Sequence, residues 1–222
     1  MQASPLHLVY GGTFDPIHLG HLLIARAARD RLHCDVHLMP AGDPPHRAPP
    51  GACAEDRARM VALAIADEPG MVLDRHELEQ RGPSYTVGTL EALRDRLGPT
   101  RPLAWLIGAD SLLGLTRWHR WRDLLALAHL VVAERPGSGL DEALPAALAE
   151  ALQGRWCDAP DTLSQAPGGR VLRLHQPLHP ASATAVRARL ADGAPVGDLL
   201  TPAVAAFIRN NGLYRPVPVA RL

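Results

Sequence analysis

No lysine occurs anywhere in the 222 residues, so all 23 basic side chains are arginine. That absence excludes a Walker phosphate loop, which needs Gly-Lys, and every Schiff-base lysine mechanism. A bound phosphate would have to be met by Arg, His and backbone N–H groups. Cysteine is scarce: Cys34, Cys53 and Cys157 are an odd number at wide spacing, fitting neither a disulfide framework nor a zinc knuckle. A reducing cytoplasm is the compartment expected from that usage. Net charge is absent too, with 23 basic residues against 23 acidic ones. Bulk charge therefore nominates neither nucleic acid nor an anionic membrane as a partner. Long apolar runs are missing as well. Residues 124–133 are interrupted by His129 and fall well short of the ~20 residues that span a bilayer. The short apolar stretch before Gly11 lacks both the length and the basic leader of a signal peptide.

What is present is an average soluble composition, 47% hydrophobic and 21% charged. A chain of this length can bury roughly 70% of its unfolded surface without staples. Short apolar runs suited to buried strands recur at 6–10, 35–39, 71–73, 103–107, 129–133 and 171–174. Stretches with 3.6-residue periodicity stand among them at 18–32, 55–66, 86–97 and 118–127, and further helices are expected at 183–191 and 202–210. Alternation of this kind predicts an α/β fold, a doubly wound Rossmann-like parallel sheet with helices on both faces. The Pro/Gly-rich stretches 40–51 and 157–169 read as long loops inside a single domain spanning 1–222, because the alternation resumes after each. In such a sheet ligands sit outside the carboxyl ends of the strands, so chemistry is sought in the loops that follow them.

The first of those loops is Gly11-Gly12-Thr13-Phe14-Asp15-Pro16-Ile17-His18-Leu19-Gly20-His21, leading into an amphipathic helix. Paired glycines allow a tight turn and close approach to an anion, and a helix N-terminus presents unpaired N–H groups. His18 and His21, three apart, share one face of a first helical turn and can each donate to a phosphate oxygen. A metal site would need a third ligand, for which the loop offers only Asp15, so no protein-bound metal is expected. This stretch resembles the His-x-Gly-His signature of the nucleotidyltransferase superfamily. The resemblance implies that His18 and His21 bind ATP phosphates and stabilise charge during adenylyl transfer.

Later segments narrow the resemblance. Pro44-Pro45-His46-Arg47, Ser84-Tyr85-Thr86-Val87, Gly108-Ala109-Asp110-Ser111, Arg117-Trp118-His119 and Ser182-Ala183-Thr184 with Arg187 follow in that order. Together with the first loop they resemble bacterial nicotinate-nucleotide adenylyltransferases from Val9 to Tyr214, apart from about 138–169. The resemblance implies ATP and nicotinate mononucleotide as partners, with Mg²⁺ carried on the ATP phosphates. Gly11, Gly12, Thr13, Phe14, His18, His21, Gly108, Asp110, Arg135, Ser182, Thr184 and Arg187 are then candidates for ATP. Thr13, His46, Arg47, Ser84, Tyr85, Thr86, Trp118 and His119 are candidates for the nicotinate nucleotide, and His18, His21 and Arg187 for catalysis. The segment 182–214 is expected to be helical and to complete the phosphate site.

Each candidate also has a plain structural reading. Asp110 could cap a helix beginning at Ser111, Ser182 and Thr184 could cap the helix carrying Arg187, and Trp118 could be interior packing. Arg135 could equally sit in a surface ion pair. Two positions depart from the family pattern. Arg47 stands where lysine is usual, replacing a point charge by a planar fork, and Ala181 stands where a larger aliphatic residue is usual. Rival readings are an adenylyltransferase for nicotinamide mononucleotide or phosphopantetheine, and a nucleotide-sensing module without catalysis. Oligomeric state is left open.

Overall fold

The computed structural model describes residues 6–42, 50–80, 82–134, 140, 144–177 and 179–215. Seven parallel strands form one sheet: β1 (His7–Gly12), β2 (Val36–Pro40), β3 (Met71–Leu73), β4 (Leu103–Gly108), β5 (His129–Glu134), β6 (Trp156–Cys157) and β7 (Val171–His175). Their order across the sheet is β3-β2-β1-β4-β5-β7-β6. The doubly wound Rossmann-like architecture expected from the alternation is therefore the one observed. From β1 the chain winds outward to β2 and β3, then returns to lay β4 on the other side of β1, with Leu8 against Ala104 and Tyr10 against Leu106. The order reverses between β1 and β4, and a crevice opens at their carboxyl ends.

The strands read as continuous apolar runs because both faces are covered. Alternate side chains feed two cores. Leu8, Tyr10, Leu106 and Val131 pack under α1 (Leu19–Leu32), α2 (Ala54–Ala64), and the C-terminal helices α8 (Ala183–Ala191) and α9 (Pro202–Asn210). Val9, Trp105, Ile107 and Val132 pack under α4 (Thr86–Leu97), α6 (Trp121–Leu127) and α7 (Ala146–Leu152). Thr201 caps α9 with its hydroxyl and Pro202 takes the first helical position, as Thr-Pro at a helix start predicts.

Several boundaries differ from the sequence reading. α1 begins at Leu19, with His18 outside it in an extended conformation. The helix expected from residue 118 begins at Trp121, because Arg120 adopts a left-handed conformation and a 3₁₀ turn (Leu115–Arg117) precedes it. Trp121 is buried in the second core. The stretch read as loop from 157 contains a 3₁₀ helix (Pro160–Gln165) and is preceded by β6. Short elements also formed where no periodicity could be counted: α3 (His76–Glu79) and α5 (Ala109–Leu113).

His129, wholly buried at the start of β5, ties down the 160–170 segment. Its Nδ1 accepts from the Arg170 N–H at 3.0 Å, which leaves Nε2 to donate to the Ala166 carbonyl at 2.9 Å. Burial holds its pKa below the ordinary 6.5, so the ring is neutral when folded. The unfolded chain takes up a proton below about pH 6.5 that the folded chain refuses, so this ring's contribution is lost as pH falls. His129→Leu should lower the unfolding free energy by about 1–2 kcal/mol, having removed two hydrogen bonds to partly buried backbone groups. Urea titrations at pH 7 and pH 5 should show the wild type losing stability on acidification, and the variant losing less.

Candidate active site

A cleft of about 1500 Å³ opens over the carboxyl ends of β1 and β4. That exceeds the roughly 300–1,000 Å³ usual for one small ligand and suits two substrates side by side. On one wall stand the paired histidines. His18 is the residue before α1 and is almost fully buried, while His21 lies in the first turn and is half-buried. Their rings stack with centroids 3.6 Å apart and planes 22° from parallel. The His18 backbone N–H donates to His21 Nδ1 at 3.2 Å, so the proton of the neutral His21 ring sits on Nε2. Gly20 permits this arrangement: a β-carbon there would lie 3.1 Å from both the His18 ring and the Ala181 carbonyl oxygen.

The glycines after β1 have local reasons as well. A β-carbon on Gly11 would fall 2.2 Å from the Trp105 indole, and one on Gly12 would fall 3.0 Å from the Phe14 ring. Phe14 has a left-handed backbone, φ 49°, uncommon outside glycine and typical of over-determined functional loops. Its ring is buried and meets Tyr10 and His21 edge-on, so it supports His21 and offers the cleft little surface.

Asp15 organises the floor. Its carboxylate accepts from the Gly51 N–H at 2.8 Å, the Ala52 N–H at 3.1 Å and the Tyr214 hydroxyl at 2.7 Å. Arg187 donates to the Asp15 carbonyl at 2.6 Å and stands 3.7 Å from its carboxylate. Burial and the Asp15 carboxylate together push the Tyr214 hydroxyl far above its ordinary range, so it remains a proton donor at any physiological pH. Arg57, 1% exposed, donates from one fork nitrogen to the Thr13 carbonyl at 2.8 Å and from the other to the Gly42 carbonyl at 3.1 Å. The loop after β1 is thus clamped to the loop after β2 from below and to α8 and the C-terminal segment from the side.

Across the cleft, Tyr85 caps the start of α4 and Thr86 begins it, so the first-turn N–H groups face outward without helical partners. The Tyr85 ring lies 4.7 Å from that of His119, and Trp118 stands half-buried beside them. Beneath them Glu77 accepts from the Thr89 hydroxyl at 2.8 Å and from the Gly42 N–H at 3.4 Å; burial pushes its carboxyl above the usual range. At the end of β4, Gly108 is the N-cap of α5, and a β-carbon there would meet nothing within 4 Å. The alternative reading of Asp110 as a helix cap is not realised; Asp110 is an exposed first-turn residue on the cleft wall. Ser182 does cap α8, accepting from the Ala185 N–H at 3.1 Å, with Thr184 exposed next to it.

One cleft thus collects Gly11, Gly12, Thr13, Phe14, His18, His21, Ser84, Tyr85, Thr86, Gly108, Asp110, Trp118, His119, Ser182, Thr184 and Arg187. His46, Arg47 and Arg135 lie outside the described residues. Asp15, Glu77, Trp105, Arg117 and Gln176 line the same cleft and were not singled out from the sequence. Asp15 stood inside the quoted motif; Trp105 sat inside a predicted strand, where nothing distinguishes a core indole from one at a cleft wall.

A family model described as cytidylyltransferase-like matches residues 9–189. A protein of Stenotrophomonas maltophilia named probable nicotinate-nucleotide adenylyltransferase is 59% identical over 219 residues, covering 96% of this chain and 99% of its own. One of the same name from Laribacter hongkongensis is 49% identical over 208 residues, 93% of each chain. Among solved structures, the Plasmodium falciparum nicotinic acid mononucleotide adenylyltransferase complexed with NaAD has a TM-score of 0.66 at 16% identity, over 93% of this chain and 96% of its own. At that identity the likeness speaks for the fold. The chain belongs to the cytidylyltransferase-like family and, within it, to the nicotinate-nucleotide adenylyltransferases.

Proposed function

We propose that the protein transfers the adenylyl group of ATP to nicotinate mononucleotide, giving nicotinate adenine dinucleotide and pyrophosphate, a step of NAD biosynthesis. The observation that carries this reading is one cleft with two chemically different walls, a stacked histidine pair and Arg187 on one side and an aromatic helix start on the other. The mononucleotide phosphate oxygen attacks the α-phosphorus, the bond from that phosphorus to the β-phosphate oxygen breaks, and pyrophosphate leaves. The protein needs no nucleophile for this. It must hold the two phosphates in line and meet the negative charge that grows on the transferred group.

His18 donates to the α-phosphate and His21 to the β or γ side; Thr13, Arg187 and the N–H groups opening α1 serve the remaining oxygens. Asp15 anchors Arg187 from behind and is a positioning residue. Gly108 leaves room for the flat adenine, and Asp110 accepts from ribose hydroxyls. The N–H groups opening α4 take the nicotinate carboxylate, with Tyr85 and Trp118 as ring platforms and Ser84 and His119 at the rim. The segment 182–214 completes the site through Ser182, Thr184, Arg187 and Tyr214.

The donor set suits Mg²⁺ arriving on ATP. Asp15 and Glu77 already accept hydrogen bonds from protein groups, so the ion would keep phosphate oxygens and water as ligands, as Mg²⁺ commonly does. It would supply charge neutralisation on the triphosphate. No helix among the described residues is long and apolar enough to cross a membrane, and the three cysteines are unpaired, consistent with a place in the cytoplasm.

Pyrophosphate release from ATP, with nicotinate mononucleotide, its nicotinamide analogue and phosphopantetheine offered separately, tests the reading. The acid should be used best; preference for phosphopantetheine, or release with none of the three, would overturn it. His18→Ala should depress kcat by roughly 10²–10³ with the fold intact, and wild-type turnover by that variant would remove His18 from the chemistry. Trp118→Ala should raise KM for the mononucleotide far more than for ATP. An equal rise for both would move Trp118 out of the nicotinate site.

A further inference from the structure

A second cluster of ionisable side chains lies on the sheet away from the cleft. His7 opens β1, His37 stands on β2 and Asp74 follows β3. At ~3.3 Å per residue His7 is about 13 Å along the strand from Gly11, and none of the three lines the cleft. The parallel register sets Val9 opposite His37, and His7 shares the face of Val9, so the two imidazoles are diagonal neighbours. Their ring centroids are 4.1 Å apart. One ring nitrogen from each and a carboxylate oxygen of Asp74 all lie within 4.8 Å of one another.

His7 is 6% exposed, and its Nε2 is buried without a hydrogen-bond partner. A polar atom in that state calls for an explanation, and a missing ion is one of the few that apply. His37 is half-buried, which leaves a path from solvent. Asp74 is already oriented: one carboxylate oxygen accepts from the His76 N–H at 2.9 Å and the other from Arg96 at 3.3 Å. The His76 N–H is the kind of outer partner that holds a ligating carboxylate in place, while Arg96 occupies the oxygen that a cation would claim. Arg96 is half exposed and can swing into solvent if its oxygen is claimed.

Two imidazoles and a carboxylate are a donor set for zinc and its neighbours, harder than a thiolate site and softer than the all-oxygen sites of Mg²⁺ or Ca²⁺. With bonds of ~2.0–2.2 Å, tetrahedral ligand atoms stand about 3.4 Å apart, so closure needs a shift of roughly 1 Å, with water as the fourth ligand. We propose that His7, His37 and Asp74 form a binding site for a divalent metal of the zinc class, cross-linking β1, β2 and the end of β3 on the face opposite α1.

The test uses the full chain stripped with a chelator and then titrated with Zn²⁺, or with Co²⁺ as a coloured substitute. One equivalent should bind, Co²⁺ should develop the visible absorption of a four- or five-coordinate site, and Tm should rise by about 5–10 °C at zinc near 100 times its Kd. His37→Gln and Asp74→Asn should each weaken binding about tenfold or more and abolish the thermal shift, with basal adenylyl transfer unchanged. Arg96→Ala, which removes the competing cation, should bind as tightly as wild type or more so, and His18→Ala should keep the site. The proposal is overturned if the wild type takes up no stoichiometric zinc, if His37→Gln and Asp74→Asn bind it unchanged, or if His18→Ala is the variant that loses it. Because uptake is read without turnover, failure here leaves the proposed reaction standing, and the reverse also holds.

Discussion

One buried carboxylate holds the site together. Asp15 lies three residues before His18, and its oxygens accept from Gly51, Ala52 and Tyr214 while its backbone carbonyl takes Arg187. Hydrogen bonds to a charged acceptor are worth more than neutral ones, about 1.5–3 kcal/mol each, and a buried carboxylate stripped of them is strongly disfavoured. The loop after β1, the chain entering α2, the segment after α9 that carries Tyr214, and α8 are therefore not independently placed. Each is fixed by the need to keep Asp15 satisfied. Arg57 does the same from the opposite sign of charge, spending its buried fork on the Thr13 and Gly42 carbonyls.

This clamping explains how a strained, glycine-rich loop can present two imidazoles in a defined stack. Backbone turned left-handed at Phe14 would relax if the loop stood alone. Here the Phe14 ring is buried under His21, the Gly11 backbone is pressed against Trp105, and Gly20 admits the Ala181 carbonyl. Preorganisation of this kind is what electrostatic catalysis of phosphoryl transfer requires, since donors already in position need not reorganise as charge develops. The sheet contributes the placement: the switch between β1 and β4 sets Gly12 and Gly108 across one crevice, one beside the paired histidines and one beside open space.

Much of this was legible in the sequence because it is local. The span 86–97 of α4 could be read from periodicity alone, and the Thr-Pro start of α9 from capping chemistry. The winding followed from strand-helix alternation. The residues of the first loop could be nominated because glycines, a helix start and two histidines stand together. The start of α6 was misread because Trp118 continues the apolar period, and only the left-handed Arg120 breaks it. Short elements such as α3 and β6 hold too few residues to show a period. What no local pattern could reveal is pairing over distance. Tyr214 meets Asp15 across 199 residues, Arg57 reaches the loops after β1 and β2, and Trp105 becomes a cleft wall only because Gly11 beside it has no side chain to displace the indole.

In the proposed reaction the triphosphate lies at the mouth of α1, between the histidine pair and Arg187. A crystal structure of the protein with a non-hydrolysable ATP analogue and nicotinate mononucleotide would locate the phosphates. Phosphate oxygens are expected within about 3 Å of a ring nitrogen of both His18 and His21, with the mononucleotide ring between Tyr85 and Trp118. Phosphates seated elsewhere in the cleft, with both imidazoles untouched, would contradict it.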